Sequence, residues 1–569
     1  MAETGVKQPG VEPGARTVIG ISLGNSNSSI AVTIDDKAEV IANEDGDRQI
    51  PTVLSYVDGD EYYGGQAKNF LVRNASNTLA YFKDFLGQEF KSIDPTHCHA
   101  SAHPKDEGGV SFTVHDKSPE EEPSTVSVSE VTTRYIKRLV TAASEYLGKT
   151  VTSAVITVPT NFNEKQREAL VKAANAAGLE VLQLVSEPVA AILAYDARPE
   201  ATTEDKIIVV ADLGGTRSDI SVVASRSGMY TILATVHDYE FAGVHLDQVL
   251  MDHFAKEFIK QHNTDPRANP RSLAKLRLES EATKKSLSKS NNASFSVESL
   301  ADGYDFSVTI NRLRYEMVAR KVFEGFNRLV EGAIKKAGLD VLDVDEVILA
   351  GGTGHTPRIA NNIAALFPES TTILAPAVNV ASLNPSELAV RGAALQASLI
   401  QEFDAEDIEQ STHPAVSTVK HITNSIGVIT TGSDGEEVFT PVIAPETAVP
   451  ARRTITFPAP ADGSDVLIKV VEGNTHIKVT QPEPKAKPEA KEDDDSDEDS
   501  DEDSDDEEEE KREKIWKIGS TLAEAALRGV KKDGKVEVTI NVLADLSATV
   551  TIREVGAQGG VRGNIKASA

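Results

Sequence analysis

Short apolar segments alternate with longer amphipathic segments along most of the chain, from Thr17 to about Gln401. The apolar segments predict strands at Thr17–Leu23, Ser28–Asp35, Ser153–Val158, Ile207–Leu213, Ile220–Ser225 and Glu346–Ala350. The amphipathic segments predict helices at Val128–Leu147, Asn163–Ala177, Leu273–Leu287 and Arg314–Ala337, and glycines that are typical of helix ends follow three of them. Such alternation is typical of an α/β domain. Because about 385 residues exceed one ordinary lobe, two lobes are predicted.

Two segments of this region resemble each other at a distance of 190 residues. The turn Gly24–Ile30 recurs as Gly214–Ile220, again between predicted strands, and Ser22 stands where the second copy has Asp212. A helix followed by an apolar strand also recurs in the same order in each half. The repeated unit is much longer than the repeats of solenoid proteins. The sequence therefore predicts two related lobes that face each other.

The pattern changes after Phe403. Residues 404–417 are acidic and polar and are interpreted as a linker. Residues 418–569 carry alternating β-branched positions and turn signals, which predict short antiparallel strands. Residues 481–514 interrupt that pattern with a low-complexity acidic segment, in which like charges repel and cannot form a core. An α/β domain over residues 17–403 is thus predicted to precede a β domain that contains a disordered acidic insertion.

The acidic segment dominates the charge of the chain. The net charge is −30, and Glu492–Glu510 holds 16 carboxylates among 19 residues, which leaves −30 + 16 = −14 elsewhere. Affinity for nucleic acid needs clustered cations, so no direct DNA binding is expected. A single cysteine, Cys98, and the lack of a long apolar run favour a cytoplasmic location away from membranes. Residues 1–16 lack the apolar core of a signal peptide and are predicted to be a disordered tail. The histidines near Cys98 fit no zinc spacing, so no metal site is predicted.

Three glycine-containing turns carry the candidate chemistry. Gly24 and Gly214 lie in the paired turns, and Gly351–Gly354 follows a predicted buried strand. Glycines let the backbone approach an anion, and successive N–H groups in a tight turn can bind it. Facing lobes that each carry such a turn predict a clamp for phosphate groups. The segment Gly529–Lys535 has the glycine spacing of a Walker A loop, but Val536 follows where Ser or Thr is needed.

Together these residues resemble the heat shock protein 70 chaperones, within the superfamily of actin, hexokinase and chaperone ATPases. The matching motifs are Ile19–Ser26, Asn77–Gly87, Leu184–Ala191, Asp212–Asp219, Lys275–Lys285, Leu349–Gly354 and Asn384–Glu387. The resemblance implies a two-lobed, actin-like ATPase domain that binds ATP. For residues 418–569 it implies the peptide-binding β-sandwich of the family, truncated and without a helical lid. The apolar linker of the family is replaced by polar residues.

The resemblance also implies roles for individual residues. Lys83 would position the attacking water, and Glu187 and Asp212 would hold Mg²⁺ or water. The residues implied to contact the nucleotide are Gly24, Asn25, Ser26, Gly214, Gly215, Thr216, Arg217, Glu281, Lys284, Lys285, Gly351, Gly352, Thr353, His355 and Ser386. Without the family, the charged helix face at residues 281–285 would be interpreted as solvated, and Lys83 as a surface lysine.

Departures from the family pattern bear on catalysis. Ser22 replaces a metal-organising aspartate, Asn25 and Ser26 replace two threonines, and Thr216–Arg217 replaces a Gly-Thr pair. His355 replaces an arginine. Phosphoryl transfer depends on positioning and charge neutralisation, and each ~1.4 kcal/mol of lost stabilisation slows it tenfold. We therefore expect ATP binding with weakened Mg²⁺ binding and little or no hydrolysis.

The truncated pattern resembles the fungal Ssz type of the family. That resemblance implies a stable heterodimer with a J-domain protein of the zuotin type. Through this partner the chain would associate with the ribosome and serve a second, active heat shock protein 70 chaperone during nascent-chain folding. The alternative hypothesis is an ATP-hydrolysing chaperone that binds and releases unfolded peptides, which Lys83, Glu187 and Asp212 favour.

Overall fold

The computed structural model describes most of the chain. The described residues are 16–89, 102–104, 109–117, 121–199, 201, 204–412, 420–431, 437–459, 465–480, 511–532, 534–557 and 559–566. They form two compact units, Met1–Thr418 and Val419–Ala569. Nearly all of the predicted N-terminal tail and of the predicted acidic insertion lie outside the described residues. Arg16, the last residue of the predicted tail, is described, and its Nε lies 3.3 Å from Glu180 Oε2.

The first lobe of the first unit contains a six-stranded sheet in the order β12-β11-β1-β2-β3, with β4 paired to β2. Its elements are β1 (Val18–Leu23), β2 (Asn27–Ile34), β3 (Lys37–Ile41), β4 (Ile50–Pro51), β5 (Val53–Val57), β6 (Asp60–Tyr63), α1 (Gly64–Asn69), β7 (Thr78–Ala80), β8 (Ala102–Pro104), β9 (Val110–Val114), β10 (Ser124–Ser127), α2 (Val128–Leu147), β11 (Ser153–Val158), α3 (Glu164–Ala176), β12 (Glu180–Ser186) and α4 (Glu187–Asp196). Strands β6-β5-β7 and β10-β9-β8 form two smaller sheets.

The second lobe repeats this design with a five-stranded sheet in the order β15-β14-β13-β18-β19 and a hairpin of β16 and β17. Its elements are β13 (Lys206–Leu213), β14 (Ser218–Arg226), β15 (Met229–Asp238), α5 (Gly243–His262), α6 (Pro270–Lys289), β16 (Asn292–Ala301), β17 (Tyr304–Asn311), α7 (Arg312–Val318), α8 (Arg320–Lys336), β18 (Glu346–Ala350), α9 (Pro357–Ala364), β19 (Thr372–Leu374), α10 (Leu388–Ile400) and α11 (Ala405–Thr412). The α10 helix returns to pack on the first lobe, against β1 and α4.

Local sequence explains where the helices begin and end. Ser127 caps α2 by accepting a hydrogen bond from the Glu130 N–H, and Gly148 ends it with a left-handed backbone. Asn163 and Gln166 form a capping box at the start of α3. The predicted helix Arg314–Ala337 is wrong as a single element, because the backbone leaves the helical region at Ala319 and divides it into α7 and α8. No Gly or Pro marks that break.

The predicted linker, residues 404–417, contains a helix that sequence reasoning missed. The Asp404 carboxylate accepts a hydrogen bond from the Asp407 N–H at 2.8 Å, as a helix cap does, and two acids occupy the first turn of α11. Ile408 of this helix packs against an apolar cluster of the first lobe. An interpretation based on acidic composition overlooked the capping pattern.

The second unit consists, in its described part, of two four-stranded antiparallel sheets. Their orders are β21-β20-β23-β24 and β22-β25-β26-β27. The strands are β20 (Ser425–Thr431), β21 (Glu437–Ile443), β22 (Ala451–Pro458), β23 (Val466–Thr480), β24 (Lys511–Leu527), β25 (Lys535–Val542), β26 (Ala548–Glu554) and β27 (Gly560–Ile565). One apolar core, which includes Val428, Val538 and Ile540, draws residues from both sheets. The fold class is thus the predicted one, an α/β two-lobed unit followed by a β-sandwich.

The acidic insertion, predicted at residues 481–514, was extended too far at its C-terminal end. Strand β24 begins at Lys511, so residues 511–514 belong to the sheet instead of the predicted insertion. Thr480 pairs with Lys511 across the β23–β24 ladder, so the segment leaves and re-enters the sandwich at neighbouring positions. Residues 511–514 are Lys-Arg-Glu-Lys, so their charged composition resembles that of the preceding segment, and their strand conformation is seen only in the pairing with β23.

Candidate nucleotide-binding cleft

The predicted site residues lie around one cavity of the first unit, with a volume of about 1170 Å³. Its lining includes Lys83, Glu187, Asp212, Gly24, Asn25, Ser26, Gly214, Gly215, Thr216, Arg217, Glu281, Lys284, Lys285, Gly351, Gly352, Thr353, His355 and Ser386, together with Ser22. The cavity is therefore built from both lobes and from all the segments that the sequence singled out. The roles of these residues stay predictions.

Two hairpins with the same register form the floor of the cavity. In β1–β2, Ser22 pairs with Ser29, and in β13–β14 Asp212 pairs with Asp219. Every paired position of the first hairpin is displaced by 190 residues in the second. The internal repeat of the sequence is therefore a repeat of structure. It places the turns of both hairpins at the same edge of their sheets.

The two turns touch each other. The Asn25 amide Nδ2 donates a hydrogen bond to Thr216 Oγ1 at 3.1 Å. A Cβ atom at Gly215 would lie 2.3 Å from Ser26 Oγ, so only glycine allows this approach. Asn25 Oδ1 and Ser26 Oγ are buried, and neither has a hydrogen-bond partner among the residues that the structure describes. Buried polar atoms are normally satisfied, and a phosphate group in the cavity would satisfy the Ser26 hydroxyl.

Hydrogen bonds from the start of α5 and from Thr353 fix the backbone of the second glycine turn. The carbonyl of Gly214 accepts hydrogen bonds from the Gly243 N–H and from Thr353 Oγ1, and the carbonyl of Gly215 accepts one from the Val244 N–H. These bonds direct the carbonyl oxygens toward the start of α5. The turn thus keeps its acceptor oxygens away from an anion in the cavity, as phosphate binding requires.

The third glycine turn closes the wall of the cavity beside Asp212. Gly351 has a φ of +79°, and a Cβ atom there would lie 2.5 Å from Asp212 Oδ1. Further along this turn, His355 Nε2 lies 3.0 Å from Ser386 Oγ. Burial lowers the pKa of His355, so its imidazole is neutral near pH 7. It can pack on an adenine ring but contributes no positive charge.

A cluster of charges occupies the centre of the cavity. Lys83 Nζ lies 3.7 Å from Glu187 Oε1, and both side chains are almost fully buried. Arg217 Nε donates to Asp219 Oδ2 at 2.7 Å, and Arg217 Nη1 lies 3.7 Å from Asp84 Oδ1. His237 adds a second contact to the Asp219 carboxylate. Each of these carboxylates thus lies beside a positively charged or donor side chain.

Burial and neighbouring carboxylates shift the pKa values in this cluster. Burial, with Glu187 and Asp219, raises the pKa of Asp212 to about 8. Burial also raises the pKa of Glu187, although Lys83 opposes this. Burial disfavours the charged form of Asp219, but Arg217 and His237 outweigh it and lower its pKa. Asp212 therefore holds its proton at neutral pH, whereas Asp219 is ionised.

Lysines and acids form ion pairs at the other end of the cavity, on α6. Glu281 accepts from Lys68 at 2.6 Å and from Lys285 at 2.7 Å, while Lys284 lies 2.7 Å from Asp247. Burial disfavours the charge on Glu281, but the lysines lower its pKa to about 2. Because Lys68 belongs to the first lobe and α6 to the second, the pair joins the lobes across the cavity.

Sequence reasoning gave no role to several charged residues of this site, among them Lys68, Asp84, Asp219 and Asp247. Asp84 directly follows the predicted Lys83, and Asp219 ends the predicted motif, so both could have been found as charged neighbours of predicted residues. Neither Lys68 nor Asp247 lies in a sequence motif that would mark it as a site residue. Their pairing with α6 depends on tertiary packing alone.

The carboxylates of the cleft do not form a metal centre as they stand. In the described ranges no three acidic, histidine or cysteine side chains are grouped to hold a single metal ion. Magnesium requires oxygen ligands in octahedral array. Here Lys83 and Arg217 lie among the carboxylates, so the residues fit a nucleotide better than they fit Mg²⁺.

The paired lobes and their shared cavity define a nucleotide-binding domain of the actin-like class. The Hsp70 protein family model matches residues 18–485. The chain is 44% identical to ribosome-associated complex subunit SSZ1 of Saccharomyces cerevisiae over 552 residues, or 96% of this chain and 99% of that protein. It is 42% identical to a heat shock protein 70 homologue of Schizosaccharomyces pombe over 96% of both chains. It is 32% identical to heat shock 70 kDa protein 14 of Danio rerio, over 81% of this chain and 89% of that protein.

The chain belongs to the heat shock protein 70 family. The predicted resemblance, including that to the fungal Ssz type, is confirmed. Members of this family are ATP-binding chaperones, and the role of the chain is related to chaperone activity. Within the described residues, no helix has both the length and the apolar character needed to cross a bilayer.

Proposed function

We propose that this protein is a non-cycling, chaperone-like subunit that binds ATP and hydrolyses it little or not at all. It would form a stable complex with a J-domain protein of the zuotin type and act as a co-chaperone for nascent chains at the ribosome. The observation that carries the proposal is the pairing of a cleft shaped for nucleotide with Ser22 at the position of a carboxylate.

Binding is supported by three sets of contacts. The backbone turns at Gly24 and Gly214 would hold the phosphates, and the unpartnered Ser26 hydroxyl would donate to one of them. Lys285 and Ser386 line the end of the cavity where ribose and adenine would lie. None of these contacts depends on the carboxylate that Ser22 replaces, so binding can persist where catalysis is lost.

Loss of hydrolysis is supported by the state of the charged groups. A water molecule attacks phosphorus only when a base or dipole positions it and when the developing charge is neutralised. The Lys83 ammonium, the predicted positioning group, contacts Glu187, and Asp212 holds a proton at neutral pH. The neutral Ser22 hydroxyl supplies no charge to organise a metal ion. Each of these three features removes positioning or charge stabilisation that the reaction needs.

Single-turnover assays with radiolabelled ATP test this part of the proposal. The purified chain should release phosphate no faster than its Lys83→Ala variant, while both retain bound ATP on a filter. Hydrolysis by the unchanged chain that Lys83→Ala abolishes would instead support the alternative, an ATP-hydrolysing chaperone that cycles on unfolded peptides. That alternative is favoured by the presence of Lys83, Glu187 and Asp212 together in the cleft.

The partner proposal is supported by the name of the yeast relative, which is a subunit of the ribosome-associated complex. The net charge of −30 argues that contact with ribosomal RNA would be made by the J-domain partner. A second, active heat shock protein 70 chaperone would be the enzyme that the pair assists in the cytoplasm. Purification of the native protein should yield a J-domain protein in equal amount. Co-sedimentation with ribosomes should disappear when that partner is depleted.

A further inference from the structure

We infer that Arg16 anchors the start of the linker to the first unit, so that this one side chain sets how far the second unit can move from the first. The inference goes beyond the proposed function and does not depend on ATP binding. Arg16 falls in the predicted N-terminal tail and helix α11 in the predicted linker, and the sequence gave a role to neither.

The Arg16 side chain joins two segments that are far apart in the chain. Only 2% of its surface is exposed, and its Nε lies 3.3 Å from Glu180 Oε2. Its Nη2 donates to Glu180 Oε1 at 3.5 Å. Its Nη1 donates to the carbonyl oxygen of Gln401 at 3.2 Å and to that of Phe403. One planar guanidinium, with donors on three nitrogens, thus connects the start of β12 with the chain that leaves α10.

The first lobe fixes the position of Arg16. The Thr17 N–H donates to Thr152 Oγ1 at 3.0 Å, and β1 begins at the next residue and pairs with β11. The partner carboxylate is fixed as well, because Glu180 Oε2 accepts a hydrogen bond from Ser153 Oγ at 2.9 Å. The sheet of the first lobe therefore orients both members of the ion pair.

The acceptors of Arg16 lie at the C-terminal end of α10. This helix ends at Ile400, and the last carbonyl groups of a helix have no partner within it. A cation at this end satisfies such carbonyls and is also favoured by the helix dipole. Without Arg16, the carbonyls of Gln401 and Phe403 would lose the donor that holds the chain against the first lobe.

Helix α11 depends on this attachment. It has eight residues, Ala405–Thr412, and a helix this short is not stable alone in water. Its contacts include the hydrogen bond from the Asp407 N–H to the Asp404 side chain and the packing of Ile408 on the first lobe. The side chains of residues 405–407 and 409–411 are exposed. Release of the residues that precede it should therefore melt the helix.

The state of this attachment changes the length of the connection between the units. Seven residues separate the end of α11 at Thr412 from residue 420, where the described part of the second unit begins. They span at most about 24 Å when extended. If α11 is released, 19 residues separate Ile400 from residue 420, and they span at most about 65 Å. Arg16 thus restricts the reach of the second unit.

Hydrogen exchange of the full chain, followed by mass spectrometry, tests the inference. In Arg16→Gln the amides of residues 405–412 should exchange about tenfold faster or more, because charge-assisted contacts are lost, while those of β11 keep their protection. Arg16→Lys should give a smaller increase, because one ammonium cannot bond the carboxylate and both carbonyls in the same geometry. Arg320→Gln, at an exposed arginine of α8, is the matched control and should leave exchange in α11 unchanged.

Two truncations that differ by one residue sharpen the test. Deletion of residues 2–15 keeps Arg16 and should leave exchange in α11 as it is in the unchanged chain. Deletion of residues 2–16 removes the guanidinium and should reproduce the effect of Arg16→Gln. Equal exchange in α11 for the two truncations would overturn the inference.

Other outcomes also decide. Unchanged exchange in α11 of Arg16→Gln would show that its own cap and Ile408 suffice. Loss of protection in β11 and β12 as well, or failure of Arg16→Gln to fold, would show that Arg16 is part of the core of the lobe and not an anchor for the linker. Either result would overturn the inference.

Small-angle X-ray scattering measures the reach itself. The maximum dimension of Arg16→Gln should exceed that of the unchanged chain, by no more than the ~40 Å that the longer connection allows. Arg320→Gln should scatter as the unchanged chain does. Equal dimensions for Arg16→Gln and the unchanged chain, with α11 released, would overturn the claim that Arg16 sets the reach.

Discussion

The two hairpins that form the floor of the cleft have the same backbone but different chemistry. Their strands pair in the same register, and Ile30 and Ile220 occupy matching positions that are fully buried in the cores of their own lobes. The first hairpin presents Ser22 and Ser29 to the cleft, whereas the second presents Asp212 and Asp219. Packing requirements have thus been kept in both copies, while charge has been kept in one. A duplicated framework can lose catalytic groups on one side without losing its shape.

The largest expected effect tests the shared packing. Ile30→Ala and Ile220→Ala should each lower the free energy of unfolding by ~3 kcal/mol, because each leaves a cavity in a fully buried core. Denaturant unfolding of the two variants gives both values. Ile34→Ala, at a position 42% exposed on the same strand as Ile30, is the control and should change little. A cost below 1 kcal/mol at either buried position would break the equivalence of the two cores.

The next largest effect concerns the contact between the two turns. Gly215→Ala places a Cβ atom 2.3 Å from Ser26 Oγ and 2.9 Å from Ser26 Cβ, so the turns must separate. ATP affinity should fall about tenfold, and Ser26→Gly in the same chain should recover only part of it, because the clash is removed but the Ser26 hydroxyl is lost as well. Calorimetric titration of both single variants and the double variant forms the cycle. Additive losses would show that the turns act independently.

A smaller effect concerns the pH dependence of ATP affinity, which should arise from the second hairpin, the one that carries carboxyl groups. The pKa of Asp212 is about 8, so its carboxyl is neutral below that pH and anionic above it. An added negative charge faces the phosphates, with Glu187, Asp219, Arg217 and Lys83 around it. ATP affinity should therefore fall about three- to tenfold between pH 7 and pH 9.

The control for this pH dependence is Asp212→Asn, which keeps the shape of the side chain and removes its titration. In that variant only the titration of ATP and the other groups remains, so affinity should vary less over the same range. The equivalent change in the first hairpin, Ser22→Ala, should leave the pH profile as it is in the unchanged chain. Parallel profiles for the unchanged chain and Asp212→Asn would contradict the assignment.

The smallest effect concerns the ion pair between the lobes. Lys68→Ala removes a partner of Glu281, and ATP should dissociate about two- to threefold faster at low salt, with the difference shrinking at high salt. Stopped-flow displacement of a fluorescent ATP analogue measures the rate. Lys172→Ala, which breaks an exposed pair within the first lobe, should leave the rate unchanged. Equal rates for the unchanged chain and Lys68→Ala would show that this pair does not restrain opening of the cleft.

Much of the fold could be predicted because its signals are local. Helix α2 and strands β11 and β18 have the predicted bounds, since Ser127 and Gly148 fix the ends of the helix and continuous apolar runs mark the strands. The repeat of Gly24 at Gly214 predicted the paired lobes. The break at Ala319 could not be predicted, because alanine is a good helix former and the break depends on packing.

The candidate site likewise has features that local sequence predicts and features that depend on tertiary packing. Residues in glycine turns or in motifs, such as Arg217, were found from the sequence. The contacts that define their chemical state were not found, because Asp84 reaches Arg217 from the facing lobe and Lys68 is 213 positions from Glu281. Charge state depends on distances between lobes, and periodicity and spacing along the chain do not encode those distances.

The pairing of Thr480 with Lys511 has a consequence for how this chain can vary. Thirty residues lie between two neighbours in a ladder, so their number enters the stability of the sandwich only through loop closure. Doubling such a loop costs about 0.6 kcal/mol, and the strand register on either side stays the same. The sandwich can therefore gain or lose a long tract of carboxylates almost without effect on its folding.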